Sequence, residues 1–243
     1  CGQPAWSAGE RALAADLARK AIGELEGYDY VVIPSGSCAD QIRNVYPQLL
    51  AGDAAWGVRA KALAERAYEL TTFLTDVLQV PAVPATFDGS VTYHDSCKGL
   101  RGLGIKRQPR ALLAKVPGLT LKEMSECEEC CGFGGVFSVK FGDVSTQIVD
   151  RKCDSIAAAG ADAVVGGDLG CLMNIEGRLR RLYHVVGNEK VRDFAGFEVK
   201  GLFSDLKHHD LGDGFKEIDF GGTVNTVWRT PMLWGVGSGF PWG

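Results

Sequence analysis

The sequence predicts an α/β protein made of a duplicated unit, with parallel strands and flanking helices. Short β-branched runs alternate with stretches of helical periodicity, which is typical of a parallel sheet covered by helices. Each of three such runs leads into a cysteine, at Cys38, Cys97 and Cys171. The order Cys-Gly, helix, strand, cysteine also occurs twice, from Cys1 to Cys38 and from Cys131 to Cys171, which indicates an internal repeat.

The individual elements follow from local patterns. A helix is predicted over 9–26 because Leu13, Leu17, Ala21 and Leu25 recur at every fourth position. The apolar, β-branched run 28–33 predicts a buried strand. The other predicted elements are a helical region over 53–78, strands over 91–95, 119–124 and 163–166, and helices over 108–116, over 144–159 and from 175 onward.

The repeat divides the chain into three predicted segments. Residues 1–80 form a partial first unit, 81–185 a second unit and 186–243 an irregular, Gly-rich tail. The first unit begins part-way through its own pattern, so we expect the N-terminal unit to be truncated.

Composition excludes several classes of protein. The 243 residues carry a formal net charge of −4, and no basic run points to nucleic acid. No apolar run approaches the roughly 20 residues of a membrane span. The eight cysteines are clustered rather than scattered, which favours metal or redox chemistry in a reducing compartment such as the cytoplasm.

The loop 125–135 carries the chemistry. It contains Cys127 and the adjacent pair Cys130 and Cys131, followed by glycines. Neighbouring cysteines are poorly placed for a disulfide with each other, whereas two vicinal thiolates before glycine suit a polynuclear metal site. Cys97 and Cys171 follow predicted strands, and the carboxyl ends of parallel strands share one edge of a sheet. We therefore expect Cys97, Cys130, Cys131 and Cys171 to converge.

Several residues have more than one interpretation. The clustered thiols are alternatively buried structural cysteines or a zinc site, although zinc knuckles favour paired cysteines in both arms. Cys127 is an extra ligand, a resolving thiol or a bystander, while Cys153 is expected in the core. His94 supports the site or, as we favour, hydrogen-bonds to backbone at a strand end. Asp168 is an oxygen ligand or, as we favour, caps its turn.

The cysteine pattern resembles a known family. Cys97, Cys130-Cys131-Gly132 and Gly170-Cys171 match the CCG cysteine-rich domain found in heterodisulfide reductases and in the iron–sulfur subunits of glycolate oxidases. The runs 94–101, 126–135 and 166–174 are similar to the lactate-utilisation protein A family in particular, and the resemblance covers about residues 1–181. One departure concerns Ser35 and Asp168, which stand where the heterodisulfide-reductase form has the first cysteine of a C-x-x-C.

The resemblance implies an iron–sulfur protein that acts in the oxidation of L-lactate to pyruvate. It makes Cys97, Cys130, Cys131 and Cys171 ligands of one cluster, of the [4Fe–4S] type, and Cys1 and Cys38 the remaining ligands of a first cluster that this chain is not expected to hold. The implied partners are the other subunits of a lactate-oxidising complex, and a small 2-hydroxy acid is a candidate substrate. The alternatives are a thiol or heterodisulfide reductase-type subunit and a non-catalytic iron–sulfur assembly subunit.

The tail has a different resemblance. Residues 201–242 are similar to the C-terminal part of di-haem cytochrome c peroxidase-like oxidoreductases, over a stretch that includes Trp228-Arg229-Thr230-Pro231. Haem attachment needs a C-x-x-C-H sequence, which is lacking here, so no haem is inferred. We interpret the tail as foreign to the family of the preceding segment.

Overall fold

A computed structural model describes residues 1–182 and, beyond them, the backbone of strands 208–210, 217–218, 224–225 and 227–229. The chain divides into two compact units, Cys1–Gly187 and Asn188–Gly243. None of the helices in the described part of the chain is both long and apolar enough to cross a membrane.

The first half of the larger unit is a two-stranded parallel sheet with helices packed against it. Strand β1 (Val31–Ile33) pairs with β2 (Ala67–Glu69), and Val31 lies opposite Ala67. The helices are α1 (Gln3–Ala8), α2 (Arg11–Leu25), α3 (Gly36–Asp40), α4 (Tyr46–Leu49), α5 (Ala54–Arg66) and α6 (Leu70–Thr72), with π-helical turns at Gln41–Val45 and Phe73–Val77.

Helix α2 buries a different face from the one its leucines predicted. Leu13 and Leu17 remain 52% and 39% exposed, whereas Ala14, Ala18 and Ile22 are fully buried. Both sets recur at every fourth residue, so periodicity alone does not choose between them. The face with the small alanines lets the helix backbone approach the core closely, and Ala18 and Ile22 pack there.

The helical region predicted over 53–78 is interrupted by β2. Helix α5 begins where the Asp53 carboxylate accepts hydrogen bonds from the backbone N–H groups of Ala55 and Trp56, both at 3.1 Å. The three-residue strand that follows is too short to show a period of two in the sequence, and its pairing with β1 is what defines it.

The second half contains a three-stranded parallel sheet in the order β4-β3-β5. In this sheet Val91 lies between Leu121 and Ala163, and His94 lies opposite Gly166. The elements are β3 (Gly89–His94), α7 (Arg107–Leu113), β4 (Leu119–Leu121), α8 (Val136–Lys140), α9 (Gly142–Ala159), β5 (Ala163–Gly166) and α10 (Leu169–Leu182), with a π-helical turn at Lys98–Gly102. The predicted α/β class with parallel strands is confirmed.

The two halves meet at the ends of β1 and β5. The backbone N–H of Gly36 donates to the carbonyl of Gly167 at 3.3 Å, and the Ser35 hydroxyl donates to Asp168 Oδ2 at 2.9 Å. A methyl group on Gly36 would lie 2.9 Å from Gly99 Cα, so only glycine permits this approach.

The smaller unit contributes two antiparallel strand pairs. Strand β6 (His208–Asp210) pairs with β9 (Val227–Arg229), and β7 (Glu217–Ile218) pairs with β8 (Val224–Asn225). The remainder of the predicted irregular tail lies outside the described residues.

Candidate metal centre

The centre lies at the carboxyl edge of the three-stranded sheet. Strand β3 ends at His94, and Cys97 follows three residues later at the start of a π-helical turn. Strand β5 runs parallel to β3 and leads into α10, whose first turn carries Cys171. The side chains that follow both strands therefore share one edge, as the parallel arrangement predicted.

The cysteine loop between β4 and α8 is fastened to this edge by its own backbone. The Cys127 carbonyl accepts a hydrogen bond from the Asp95 N–H at 3.0 Å. The Cys131 carbonyl accepts one from the Asn174 amide at 2.8 Å. The Gly132 carbonyl accepts one from the Ser145 hydroxyl, also at 2.8 Å. These bonds tie the loop to β3, α10 and α9, so its conformation is fixed by elements far apart in sequence.

Four thiols form a connected group. Cys130 is within hydrogen-bonding reach of Cys97 on one side and Cys131 on the other, and Cys131 reaches Cys171. Cys131 and Cys171 are buried, whereas Cys97 and Cys130 are partly exposed. The expected convergence of these sulfurs is therefore present in the structure, and their role as ligands remains a prediction.

The thiols differ in their readiness to ionise. Hydrogen bonds from the Cys131 and Cys97 thiols, together with the Gly132 N–H at 3.3 Å from Cys130 Sγ, lower the pKa of the Cys130 thiol. The hydrogen bond to Cys130 and burial raise the pKa values of Cys97 and Cys131. Ionisation of one thiol in such a group hinders the loss of protons from its neighbours, because the thiolates repel one another. Metal binding would release those protons, because the thiolate is the ligand.

His94 is completely buried beside these sulfurs. One of its ring nitrogens and the sulfurs of Cys131 and Cys171 lie within 4.8 Å of one another. Both ring nitrogens lack a hydrogen-bond partner among the described residues, so the hydrogen bond to backbone that we favoured for this histidine is wrong. Burial lowers the pKa of His94 to about 4 and keeps the ring neutral. An unsatisfied buried polar group costs about 1–3 kcal/mol.

Lys152 is a second buried group that sequence reasoning missed. It lies on α9 with 1% of its surface exposed, donates to the Glu126 carbonyl and approaches Met124 Sδ at 3.9 Å. Among residues 1–182 it forms no ion pair, and burial lowers its pKa. A detectable signal was its place on the helix, where Val149 and Cys153 mark the buried face. Its positive charge lies against the cysteine loop, where it would offset thiolate charge.

Asp168 forms hydrogen bonds across the join between the two halves. Its Oδ2 accepts hydrogen bonds from the Ser35 hydroxyl at 2.9 Å and from the Ser37 N–H at 3.2 Å. The side chain thus joins the two halves of the unit, because both groups that bind its Oδ2 belong to the other half of the repeat. Its role as a cap of its own turn stays a prediction.

The remaining cysteines have different surroundings. Cys1 and Cys38 lie together, with their sulfurs 3.1 Å apart, and the Tyr46 hydroxyl donates to the Cys1 carbonyl at 2.9 Å. Cys153 is fully buried among apolar side chains, as expected of a core residue. Cys127 is partly exposed, and burial raises the pKa of its thiol.

This set of donors fits an iron–sulfur cluster. Thiolates are the preferred protein ligands of such clusters, and four thiols meet here at a partly open edge. Gly132 has a φ of +80°, and a methyl group there would lie 2.5 Å from the Ser145 carbonyl oxygen. The backbone after the vicinal pair is therefore held in a conformation that only glycine takes readily, which keeps its N–H directed at Cys130.

The chain matches the family model described as CCG, cysteine-rich domain, over residues 1–43 and 91–176. These ranges contain all six of the cysteines predicted as ligands from the sequence.

Curated relatives match along most of the chain. A protein of Bacillus cytotoxicus named Lactate utilization protein A is 46% identical over 182 residues, which are 75% of this chain and 76% of the relative. The proteins of the same name from Geobacillus sp. and Bacillus pumilus are 48% and 47% identical, over 74% and 75% of this chain and 76% of each relative.

Proposed function

This chain belongs to the CCG cysteine-rich domain family, among relatives named Lactate utilization protein A, and from that premise we propose that it is the iron–sulfur redox subunit of a system that oxidises L-lactate to pyruvate. The observation that carries the proposal is the group of four thiols at one sheet edge, at Cys97, Cys130, Cys131 and Cys171.

The proposed cluster is of the [4Fe–4S] type, held by these four sulfurs. When bound, such a cluster supplies one-electron transfer at a potential set by charge, hydrogen bonds and burial. The Gly132 N–H donates to Cys130 Sγ, and Lys152 places positive charge beside the loop. Both interactions stabilise the more negative, reduced state and so raise the reduction potential.

The chain's place in the reaction follows from electron counting. Oxidation of a 2-hydroxy acid to a 2-oxo acid releases two electrons and two protons, whereas a single cluster accepts electrons one at a time. The sequence has no dinucleotide-binding fingerprint. We therefore assign the two-electron step to another protein of the complex, and one-electron transfer onward to this chain.

Anaerobic reconstitution with iron and sulfide tests the cluster. We expect about four irons per chain and a broad visible absorbance that reduction bleaches. Cys171→Ala should lose most of the iron, because it removes a buried sulfur of the group. Cys153→Ala is the matched control, since Cys153 is buried in the same apolar cluster as Cys171 but is outside the group of thiols that reach one another. Equal iron in both variants, or none in the wild type, would contradict the assignment.

A second experiment tests the link to lactate. Reduction of the reconstituted protein by L-lactate is followed by its visible spectrum, with and without the other proteins of the complex. We expect bleaching only in the complete mixture. A reconstituted protein that stays oxidised in the complete mixture would leave a structural, non-catalytic cluster as the better description.

Thiol exchange is the second candidate function. It is favoured by the lowered pKa of Cys130, since a thiolate beside other thiols is a competent nucleophile. A colourless protein that reduces disulfides and loses this activity in Cys130→Ala would support it over the redox subunit.

A further inference from the structure

His94 is a buried donor for which the cysteine cluster alone gives no role. It ends β3 at the edge where the thiols meet, and no solvent reaches it. Neither ring nitrogen has a hydrogen-bond partner among residues 1–182. Nearly all buried polar groups are paired in folded proteins, so a fully buried, unpaired imidazole indicates a partner that the polypeptide does not supply.

The surroundings of the ring show where that partner would be. A ring nitrogen of His94 and the sulfurs of Cys131 and Cys171 lie within 4.8 Å of one another. Ligand atoms that share one metal ion lie roughly 3.3–3.8 Å apart, given metal–ligand distances of about 2.0–2.3 Å in a tetrahedral arrangement. The ring nitrogen is thus within a small adjustment of sharing an iron with one of the two sulfurs.

Other candidates for an additional ligand fit less well. The Oδ2 atom of Asp168 is engaged by Ser35 and Ser37 across the join between the halves. Lys152 is engaged by its hydrogen bond to the Glu126 carbonyl. Cys127 is outside the group of thiols that reach one another. Both ring nitrogens of His94 are free of other bonds in the described part of the chain, so the ring has a lone pair to offer a metal.

We propose that His94 is a nitrogen ligand of the metal centre, additional to the four thiolates, and shares one iron with either Cys131 or Cys171. The inference rests on the proposed cluster, whose ligand set becomes mixed nitrogen and sulfur. A neutral imidazole contributes no negative charge, unlike a thiolate, and histidine ligation in place of cysteine raises the potential of Rieske-type clusters. The centre is accordingly expected to be easier to reduce than an all-cysteine centre in the same surroundings.

The decisive measurement is the magnetic coupling between the reduced cluster and nitrogen. The wild-type protein is reconstituted anaerobically, reduced and examined by pulsed electron paramagnetic resonance, with natural histidine and with ¹⁵N-labelled histidine. We expect a strong coupling, typical of a directly bonded nitrogen, and we expect the signal to differ between the natural and the ¹⁵N-labelled samples. The chain has four histidines, so His94→Asn is needed to assign it, and the coupling should be lost in this variant.

Thr92→Val is the matched control. Thr92 lies on the same strand, is fully buried and also has an unpaired polar atom among the described residues, but its side chain has no nitrogen that could give the coupling. Its variant should keep the coupling and the reduction potential of the wild type. His94→Cys should also bind a cluster, and its potential should shift to more negative values because a thiolate replaces a neutral ligand.

The outcomes separate this inference from the proposed function. Three results would overturn the ligand assignment and leave the redox function standing. The wild-type cluster could show no coupling to histidine nitrogen, or only the weak coupling of a hydrogen-bonded ring. The third result is a strong coupling that survives in His94→Asn. A wild-type protein that binds no cluster overturns both. Should His94→Asn fail to fold, the labelled and unlabelled wild-type spectra and the His94→Cys potential still decide the question.

Discussion

The ion pair between Arg110 and Asp95 should make a large contribution to the stability of the candidate centre. Arg110 on α7 donates from two nitrogens to the two carboxylate oxygens of Asp95, each at 2.8 Å. The Asp95 side chain is 1% exposed and that of Arg110 is 18% exposed. Arg110→Ala would leave a buried carboxylate without its counter-ion, and removing one partner of a buried pair costs about 3–5 kcal/mol.

We expect a value near the lower end of that range, about 3 kcal/mol, because Arg110 is partly accessible and water can enter the space it vacates. Urea unfolding of the metal-free, reduced protein, followed by circular dichroism, measures this loss. Arg107→Ala is the control, since Arg107 lies on the same helix and its pair with Asp76 is much more exposed. That variant should lose only about 0.2–1 kcal/mol.

Two results would refute this reasoning. One is a loss in Arg110→Ala that is no greater than the loss in Arg107→Ala. The other concerns the double variant Asp95→Asn/Arg110→Ala, which no longer contains a buried unpaired charge. It should be more stable than Arg110→Ala alone, and a further loss would show that the cost lies in packing rather than in charge.

The other predictions concern backbone strain, acid stability and the buried cation. Gly132→Ala should cost about 1–3 kcal/mol through its positive φ and the clash with the Ser145 carbonyl, and it should lower iron content on reconstitution; an unchanged urea midpoint would contradict this. Hydrogen bonds from the backbone and hydroxyl of Ser90 lower the pKa of Asp162 below 3.8. The Asp162 carboxylate therefore stabilises the folded protein fully above pH 3.8, and this contribution is lost as the pH falls through the pKa of Asp162 in the folded state. The stability difference between wild type and Asp162→Asn should therefore shrink on acidification below 3.8, and a difference that grows there would be inconsistent with this assignment. Lys152→Met should change the stability of the metal-free protein by less than about 1 kcal/mol, because Met avoids the desolvation cost of the ammonium and this offsets the interactions that are lost. The same variant should make the reduction potential of the reconstituted centre more negative. An unchanged potential would show that Lys152 has no part in the electrostatics of the site.

The convergence of the cysteines was predictable from sequence because it depends on topology. Parallel strands end at one edge, so Cys97 and Cys171 were expected together although they are far apart in the chain, and the structure brings them together through Cys130 and Cys131. The vicinal pair needed no long-range information, since the two residues are adjacent.

What the sequence did not reveal depends on competition between similar patterns. On α2 the leucine stripe and the alanine stripe have the same spacing, and tertiary packing chose the alanines. Strand β2 is three residues long and exists through its pairing with β1. The lack of hydrogen-bond partners for His94 among residues 1–182 likewise depends on how distant elements pack around it. A local sequence pattern does not show that packing.

Ser35 and Asp168 are matching residues of the two halves, and they bind each other. Ser35 and Asp168 each lie three residues before a cysteine predicted as a ligand, at Cys38 and Cys171, so they occupy equivalent places in the repeat. The structure bonds these two side chains directly to each other. The hydroxyl donor and the carboxylate acceptor satisfy each other across the join and so strengthen the contact between the halves. Neither residue offers a thiolate to a cluster. In the second half, the ring of His94, unpaired among residues 1–182, lies beside the sulfurs of Cys131 and Cys171 and offers a nitrogen donor there.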